Sequence, residues 1–427
     1  MTDKTNIIKI LYKTKLELKS ALHIGCAQKS PVGSFEMMKN GAGEYFIPGT
    51  SIAGVFIDTL RDLIDFNHKN NKKLFYSISD TEEINGEKKS RGSALVFRSI
   101  NLGKNPPKQI RNRTKIDRET KTADDGALFS YWEIEPEKVN FKVKVEIDNL
   151  SVINKDEDIE TLQKWVKLVF ASWHKEGVFF GGHNTSGNGY CKLANLEESI
   201  INPENFNDYL DNTNNFNPVN LDNINPELRF KTWTITVDMN DEDDDYGTNA
   251  LLIKGGVSHI SLAGNPSDGV FINTGKRLFI PGSSLKGTFS MFLEKYVHAE
   301  DWLKNFFGQE GSKYQGYIYF PDLIFSEEMN NGKKHLINIE RHAEDEFTRA
   351  VFGSGKFNEE RLFYAKAEGK IRIPIKFYND NKEKLIEVKN FLIKGCINRL
   401  ISLGANGCYP KFEIEGNIIE EQNNEKQ

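Results

Sequence analysis

Apolar and polar residues alternate at the opening of the chain, in the run IIKILYKTKLELKSALHIG, where Leu16 and Leu18 sit between charged neighbours until the pattern stops at Gly25. A period of two is the signature of a strand with one buried face. From Ser51 the spacing changes, and Ile52, Val55, Phe56, Leu60, Leu63 and Ile64 fall on one face of a helix. SALVFRSINL predicts a strand and FKVKVEIDNL a second, cleanly alternating one. Leu162, Trp165, Val166, Val169, Phe170 and Trp173 predict an amphipathic helix stopped by Gly177, and YCKLANL a closing strand. Strand, helix, strand, strand, helix, strand is the ferredoxin-like order.

Between Asn202 and Leu228 the run NPENFNDYLDNTNNFNPVNLDNINPEL is dense in Asn, Asp and Pro, which break both periodicities and favour turns. The same order then resumes. FKTWTITVDM predicts a strand, and Leu285, Phe289, Phe292, Leu293 and Tyr296 one helix face. GYIYFPDLIF and KIRIPIKFY predict two strands, and Leu385, Val388, Leu392, Cys396 and Leu400 a last helix stopped by Gly404. The two helix stops lie 227 residues apart, so duplication of one domain is the simplest account. The predicted class is α+β, with a first domain over residues 1–201, a linker over 202–228 and a second domain over 229–427.

Two segments nearly repeat one another. EYFIPGTSIAGVFIDTL and RLFIPGSSLKGTFSMFL stand 233 residues apart, each with an aromatic, Ile-Pro-Gly, a hydroxyl pair and a Gly one turn into a helix. Thr50 or Ser51 is placed to cap the first helix by accepting from a free backbone N–H, and Ser283 and Ser284 hold the same places in the second. Gly54 and Gly287 are harder to explain, because Gly inside a helix costs about 1 kcal/mol against Ala. A helix start with free N–H groups, a positive dipole end and no side chain in the way is a phosphate-binding site. In the second copy Lys286 adds a cation. The plain alternative is a capped helix.

After the second helix of the first half, FFGGHNTSGNGYCKL sets Gly181, Gly182, Gly187 and Gly189 around Asn184, Thr185 and Ser186. Such a loop can present backbone donors to a polyanion, although a hairpin connection would use the same residues. Its counterpart SLGANGCYPKF keeps only Gly404 and Gly407. KNPPKQIRNRTKIDRETKTADDGALF places Lys108, Arg111, Arg113, Lys115, Arg118 and Lys121 in a stretch with little apolar periodicity, either a solvated loop or an arm for phosphate. The corresponding stretch of the second half keeps Arg341 and Arg349 but balances them with acids.

Charge changes the picture only when it is localised. The net charge of -5 argues against a nucleic-acid partner, yet Gly86–Lys121 holds eleven Lys or Arg against three acids, a balance of +8 that leaves the rest at -13. The four scattered cysteines lack the paired spacing of a zinc site and predict reduced thiols. No apolar run of about 18 residues and no cleavable leader are present, which predicts a cytoplasmic protein with no membrane partner.

These segments together resemble the RAMP superfamily, specifically the backbone subunits of type III CRISPR effector complexes. The resemblance is carried by LHIG, IPGTSIAG, IRNRTKIDRETKTADDGALF and FGGHNTSGNGYCKL in the first half, and by LFIPGSSLKG, FFGQEGSKYQGYIYFPD and IERHAEDEFTRAVF in the second. IDRETKTADDGALF is the most specific of these; the linker and the acidic run Asp241 to Asp245 fall outside. The resemblance implies two tandem ferredoxin-like (RRM-like) palms with inserted thumb segments, CRISPR RNA held along the palm, and other type III effector subunits as partners. It also implies cleavage of guide-paired, single-stranded target RNA. In that family an Asp between the first strand and the Ile-Pro-Gly motif supports attack of the ribose 2′-OH on the adjacent phosphate, with a divalent ion, Mg or Mn, required. Asp268 matches, twelve residues before Ile280; Glu36, eleven before Ile47, departs from the pattern by one methylene and puts the first site in doubt. The plain readings are an Asx-turn residue and an exposed loop acid.

Three functions compete on this basis: an RNA-guided ribonuclease subunit, a non-catalytic backbone module that grips guide RNA, and a metal-independent endoribonuclease that matures CRISPR RNA through His183. His23 and His259 occupy matching places in the opening strands, as acid–base groups or, more simply, as strand histidines facing RNA or solvent. The first half has the full glycine loop and the basic segment, the second has Lys286 and Asp268. The expectation is a division of labour in which the first half grips guide RNA more strongly and the second cuts.

Overall fold

The strand that opens the chain buries Ile10, Tyr12, Leu16 and Leu18 and turns Lys13 and Lys15 to solvent, as its alternation predicts. In this computed structural model the described residues are 7–29, 34–66, 68–78, 81–84, 87–90, 92–117, 120, 123–136, 140–148, 156–239, 250–255, 268–274, 277–296, 301–308, 316–325, 336–344, 348, 351–405 and 408–416. Arg118, Lys121, Asp241 to Asp245, His259, Arg349 and Gly407 therefore lie outside the described residues.

The first half runs β1 (Lys9–Leu18), β2 (Gly25–Lys29), β3 (Phe35–Met37), β4 (Tyr45–Ile47), α1 (Gly49–Leu63), α2 (Lys69–Tyr76), β5 (Thr81–Ile84), β6 (Glu87–Ser90), β7 (Leu95–Phe97), β8 (Ile100–Gly103), β9 (Lys108–Arg113), β10 (Phe129–Ile134), β11 (Asn140–Ile147), α3 (Asp156–Lys175), β12 (Val178–Phe179), β13 (Ser186–Gly187), β14 (Tyr190–Ile201), α4 (Phe206–Leu210) and β15 (Asn217–Pro218). Its main sheet has the order β14-β1-β11-β7 with antiparallel neighbours, and β12 and β15 pair with β14. In chain order those four strands are last, first, third and second, with α1 in one crossover and α3 in the other, which is the ferredoxin-like arrangement. Both helices pack on one face. There Phe56, Phe170 and Trp173 are fully buried edge to face, and the Trp173 indole donates to Thr59 Oγ1 at 3.0 Å.

The second half runs β16 (Phe230–Asp238), β17 (Asn273–Thr274), β18 (Arg277–Ile280), α5 (Gly282–Tyr296), α6 (Asp301–Phe307), β19 (Phe320–Pro321), β20 (Leu323–Ile324), β21 (Leu336–Glu344), β22 (Val351–Leu362), β23 (Lys366–Pro374), α7 (Ile375–Asp380), α8 (Lys382–Ile397) and β24 (Lys411–Gly416). Its sheet is β23-β16-β24, and residues 319–325 lie along the free edge of β23 through bridges from Tyr319 to Arg372 and Phe325 to Ala367. A separate hydrophobic cluster fills each half.

Several local expectations shift. The stretch read as one strand, SALVFRSINL, is broken into β7 and β8, and GYIYFPDLIF forms only the short β19 and β20, because each bends around a helix start. The last helix ends at Ile397, before Gly404: Arg399 takes the left-handed conformation (φ 54) and Leu400 N–H reaches back to Gly395 O, so Leu400 leaves the helix face and is exposed. The Asn- and Pro-rich run from 202 to 228 contributes α4 and β15, and Leu221 buries into the first core. The basic segment is in part a strand, β9, paired with β10. Among the described residues no helix is long and apolar enough to cross a membrane.

Candidate nucleic-acid interface

The two helix starts are built alike at the backbone. A Cβ on Gly49 would stand 2.1 Å from Phe97 O, and one on Gly282 would stand 2.5 Å from Phe320 O, so both starts need glycine to press against the neighbouring strand. Neither Thr50 nor Ser51 caps α1: the cap position is Pro48, which has no side-chain acceptor, and the two hydroxyl residues lie past it inside the helix. The Gly49 N–H donates instead to Ser99 Oγ at 3.1 Å. Thr50 is exposed at the first turn and Ser51 half-buried; in α5, Ser283 and Ser284 are both half-buried. There the equivalent N–H, of Gly282, donates to Asp322 Oδ1 at 2.8 Å. A carboxylate offsets the positive end of a helix and a neutral hydroxyl does not.

Gly54 and Gly287 behave differently from the glycines that open the helices. Both are exposed, and a Cβ at either would meet nothing within 4 Å. No contact within the described residues requires glycine there, although it weakens each helix. What the two positions leave is a bare helix surface beside its first turn.

Arg111 and Arg113 of the basic segment turn inward. Arg111 is 2 % exposed, and its guanidinium donates to Glu133 at 2.9 Å and to Asp322 Oδ2 at 2.8 Å. Burial pulls its pKa down, but the carboxylates of Asp322 and Glu133 outweigh this and hold it well above the usual value. Glu133, fully buried, also accepts from Gln109 Nε2 and Asn188 Nδ2. Arg113 donates to Ser186 Oγ at 3.1 Å and Asn188 Oδ1 at 3.2 Å and lies over the Tyr131 ring. Lys108 reaches the Tyr45 hydroxyl, and Lys115 pairs with Asp124. Arg111 thus joins the halves, because Asp322 belongs to the second and caps its helix.

The glycine loop is part of the same junction. Strand β13 pairs in parallel with β19, and Lys286 Nζ donates to Thr185 Oγ1 at 2.9 Å. Burial first, and then the Arg113 charge, lower the Lys286 pKa to about 8. Gly187, with φ 106, leaves room for Asp322: a Cβ there would stand 2.1 Å from its Oδ1. Gly181 and Gly189 pack as closely on His23 O and Phe180 O, and the N–H groups of Gly182 and Gly189 donate to His23 O and Ala21 O. The Asn184 side-chain oxygen is buried without a partner. The N–H groups of Gly182, Ser186, Asn188 and Gly189 are thus spent inside the protein rather than displayed. His183 stacks on Tyr131 at 4.5 Å, and burial, then Arg113, drive its pKa down to about 3, which keeps it neutral at physiological pH. His23 sets its Nδ1 2.6 Å from Trp132 O, and burial lowers its pKa too, so it faces neither solvent nor a ligand freely.

The two acids lie in separate places. Asp268 is exposed, and its Oδ2 accepts from Asn358 N–H at 2.9 Å, tying it to the middle of β22, where Asn358 pairs with Glu340. Glu36 is half-buried in β3, 3.8 Å from Lys39 Nζ. Arg341 is half-buried in the β21–β22 hairpin opposite Phe357. Among the described residues no three His, Cys, Asp or Glu side chains gather as a metal site.

The sequence pointed to the helix starts but not to Ser99, Glu133 or Asp322. The one available signal was the acid in GYIYFPDLIF, just after the strand that abuts the second helix. A family model of the RAMP superfamily matches residues 15–192, which takes in the end of β1, all of α1, the basic segment and the glycine loop and ends before the second half. No curated protein matches the chain.

Proposed function

We propose that the chain is an RNA-gripping backbone subunit of a type III CRISPR effector complex, with two ferredoxin-like domains fused in tandem and the α1 start as its strongest contact to guide RNA. The RAMP-superfamily match supports a CRISPR-associated role in RNA binding for the first half. The observation that carries the reading is Gly54, a helix-weakening residue with nothing of the protein within 4 Å of a Cβ there, one turn into a helix whose first N–H meets only a neutral hydroxyl. A phosphate approaching that bare surface gains the positive end of the helix dipole at close range, and Thr50 adds an exposed hydroxyl. The test is direct binding of single-stranded RNA by the full chain over a salt titration. Affinity that falls steeply with salt is expected; affinity indifferent to salt, or absent, ends the proposal.

A second reading, cleavage of guide-paired target RNA, is favoured at Asp268 by its exposed carboxylate and disfavoured at Glu36 by burial and the nearby Lys39. Within the assembled complex Asp268→Ala should abolish cutting at the sites this half serves. Unchanged cutting at every site leaves the non-catalytic reading. Maturation of CRISPR RNA through His183 is disfavoured as a general-acid step, because the half-buried imidazole, stacked on Tyr131 and held neutral beside Arg113, lacks the extra proton of an imidazolium.

A further inference from the structure

The helices cover one face of the first sheet, and the other face is lined with lysines in opposed pairs. Strand register sets Lys13 directly across from Lys144 and Lys15 directly across from Lys142, while Lys192 of β14 adjoins Glu17. All five lysines are exposed, and none forms an ion pair among the described residues. Glu197 of β14 lies across from Lys13 on its other side without pairing to it. Like charges directly opposite one another destabilise a sheet, so the lysine pairs weaken the fold with little internal return. Partial burial and then the Lys144 charge lower the Lys13 pKa, as crowding of this kind should.

The corresponding face of the second half shows that the fold does not demand such an arrangement. There Thr232, Thr234 and Thr236 lie opposite Arg372, Lys370 and Glu368, and the flanking lysines are answered, Lys366 by Asp238 at 3.7 Å and Lys411 by Glu413 at 3.3 Å. Beside the lysine pairs of the first half is a groove of about 500 Å³ whose lining includes Ser99, Asn101, Lys142 and Lys144, with Arg98 paired to Glu146 at 2.9 Å in its wall. Its Ser99 is the residue that accepts the first free N–H of α1. The groove therefore joins the helix start to the lysine face.

We propose that the open lysine face of the first sheet is a second track for the sugar-phosphate backbone of single-stranded RNA, entered from the α1 start through the groove at Ser99. This rests on the RNA-binding reading above. Lysines two residues apart on a strand recur about every 7 Å, and those on neighbouring strands about every 5 Å. That is a regular row of point charges suited to a polymer with one negative charge per unit. At its edge the Phe216 ring lies 3.5 Å from Lys13 Nζ, which sets an aromatic face beside the cations, the pairing used to hold single strands.

The test uses the full chain carrying Lys13→Gln, Lys15→Gln, Lys142→Gln and Lys144→Gln together, titrated with labelled oligouridine at rising KCl and, separately, with polyglutamate. The melting temperature should hold or rise, because the opposed charges are gone. RNA affinity at low salt should fall at least about tenfold, and the slope of log K against log salt should become shallower by roughly 2 to 3, at about 0.7 for each phosphate that is no longer neutralised. An unchanged affinity and slope, with Gly54→Leu still weakening RNA binding, overturns the track while leaving the RNA-binding reading in place. Wild-type chain that fails to bind RNA removes that reading and the track together. Loss of polyglutamate binding alone also overturns the track and assigns the face to an acidic protein.

Discussion

At the start of α1 the first free N–H meets the hydroxyl of Ser99; at the start of α5 it meets the carboxylate of Asp322, which Arg111 holds from the other half of the molecule. The backbone around the two starts is otherwise the same, down to the close approach of Gly49 and Gly282 to a strand carbonyl. The difference teaches that a helix start suited to phosphate can be satisfied from within. In the second half the protein supplies its own anion and packs the glycine loop beside it; in the first the same N–H meets only a neutral hydroxyl.

That contrast is broken most severely at Arg111. Arg111→Met should cost about 3 to 5 kcal/mol in urea unfolding, because Glu133 and Asp322 are left buried without their cation. Adding Glu133→Gln and Asp322→Asn should recover much of the loss, and a small effect of Arg111→Met alone would mean that the junction is not held there. Lys286 gives the next effect. Its folded pKa of about 8 lies below the ordinary 10.5, so between those values the folded chain binds fewer protons than the unfolded chain and stability rises with pH. Relative to Lys286→Met, the wild type should gain on the order of 3 kcal/mol across that window. Equal pH profiles for the two proteins would show that the Lys286 environment is not as closed as described. The smallest effect is Gly54→Ala, expected to stabilise the chain by up to about 1 kcal/mol in thermal melts because the new methyl meets nothing. Destabilisation there would reveal a contact that the open surface denies.

Much of the architecture was legible in the sequence, because β1, α1, β11 and α3 carry strong periodicities and their order alone names a ferredoxin-like sheet. The helix starts were legible for the same reason, since Ile-Pro-Gly repeats. What was not legible depends on distance along the chain. Arg111 and Asp322 are 211 residues apart, so a segment that reads as a free basic arm turns out to be half of a buried cluster. Gly187 reads as a phosphate-loop glycine, yet its space is taken by the Asp322 carboxylate. The lysine face was half visible: alternation in YKTKLEL and FKVKVEI shows that the lysines point one way, but only the pairing register sets Lys13 against Lys144.

The proposed function has RNA binding by the first half depend on its helix start being the open one of the two. Gly54→Leu and Gly287→Leu put the same side chain at matching places, neither of which has a neighbour within 4 Å, and the affinity of each full-length variant for single-stranded RNA can be compared with wild type at one salt concentration. Gly54→Leu should weaken binding at least about tenfold, a loss of about 1.4 kcal/mol, while Gly287→Leu should change it far less. An equal or larger loss at Gly287, or no loss at Gly54, would contradict the claim that the first half grips RNA through a helix start that the second half has closed.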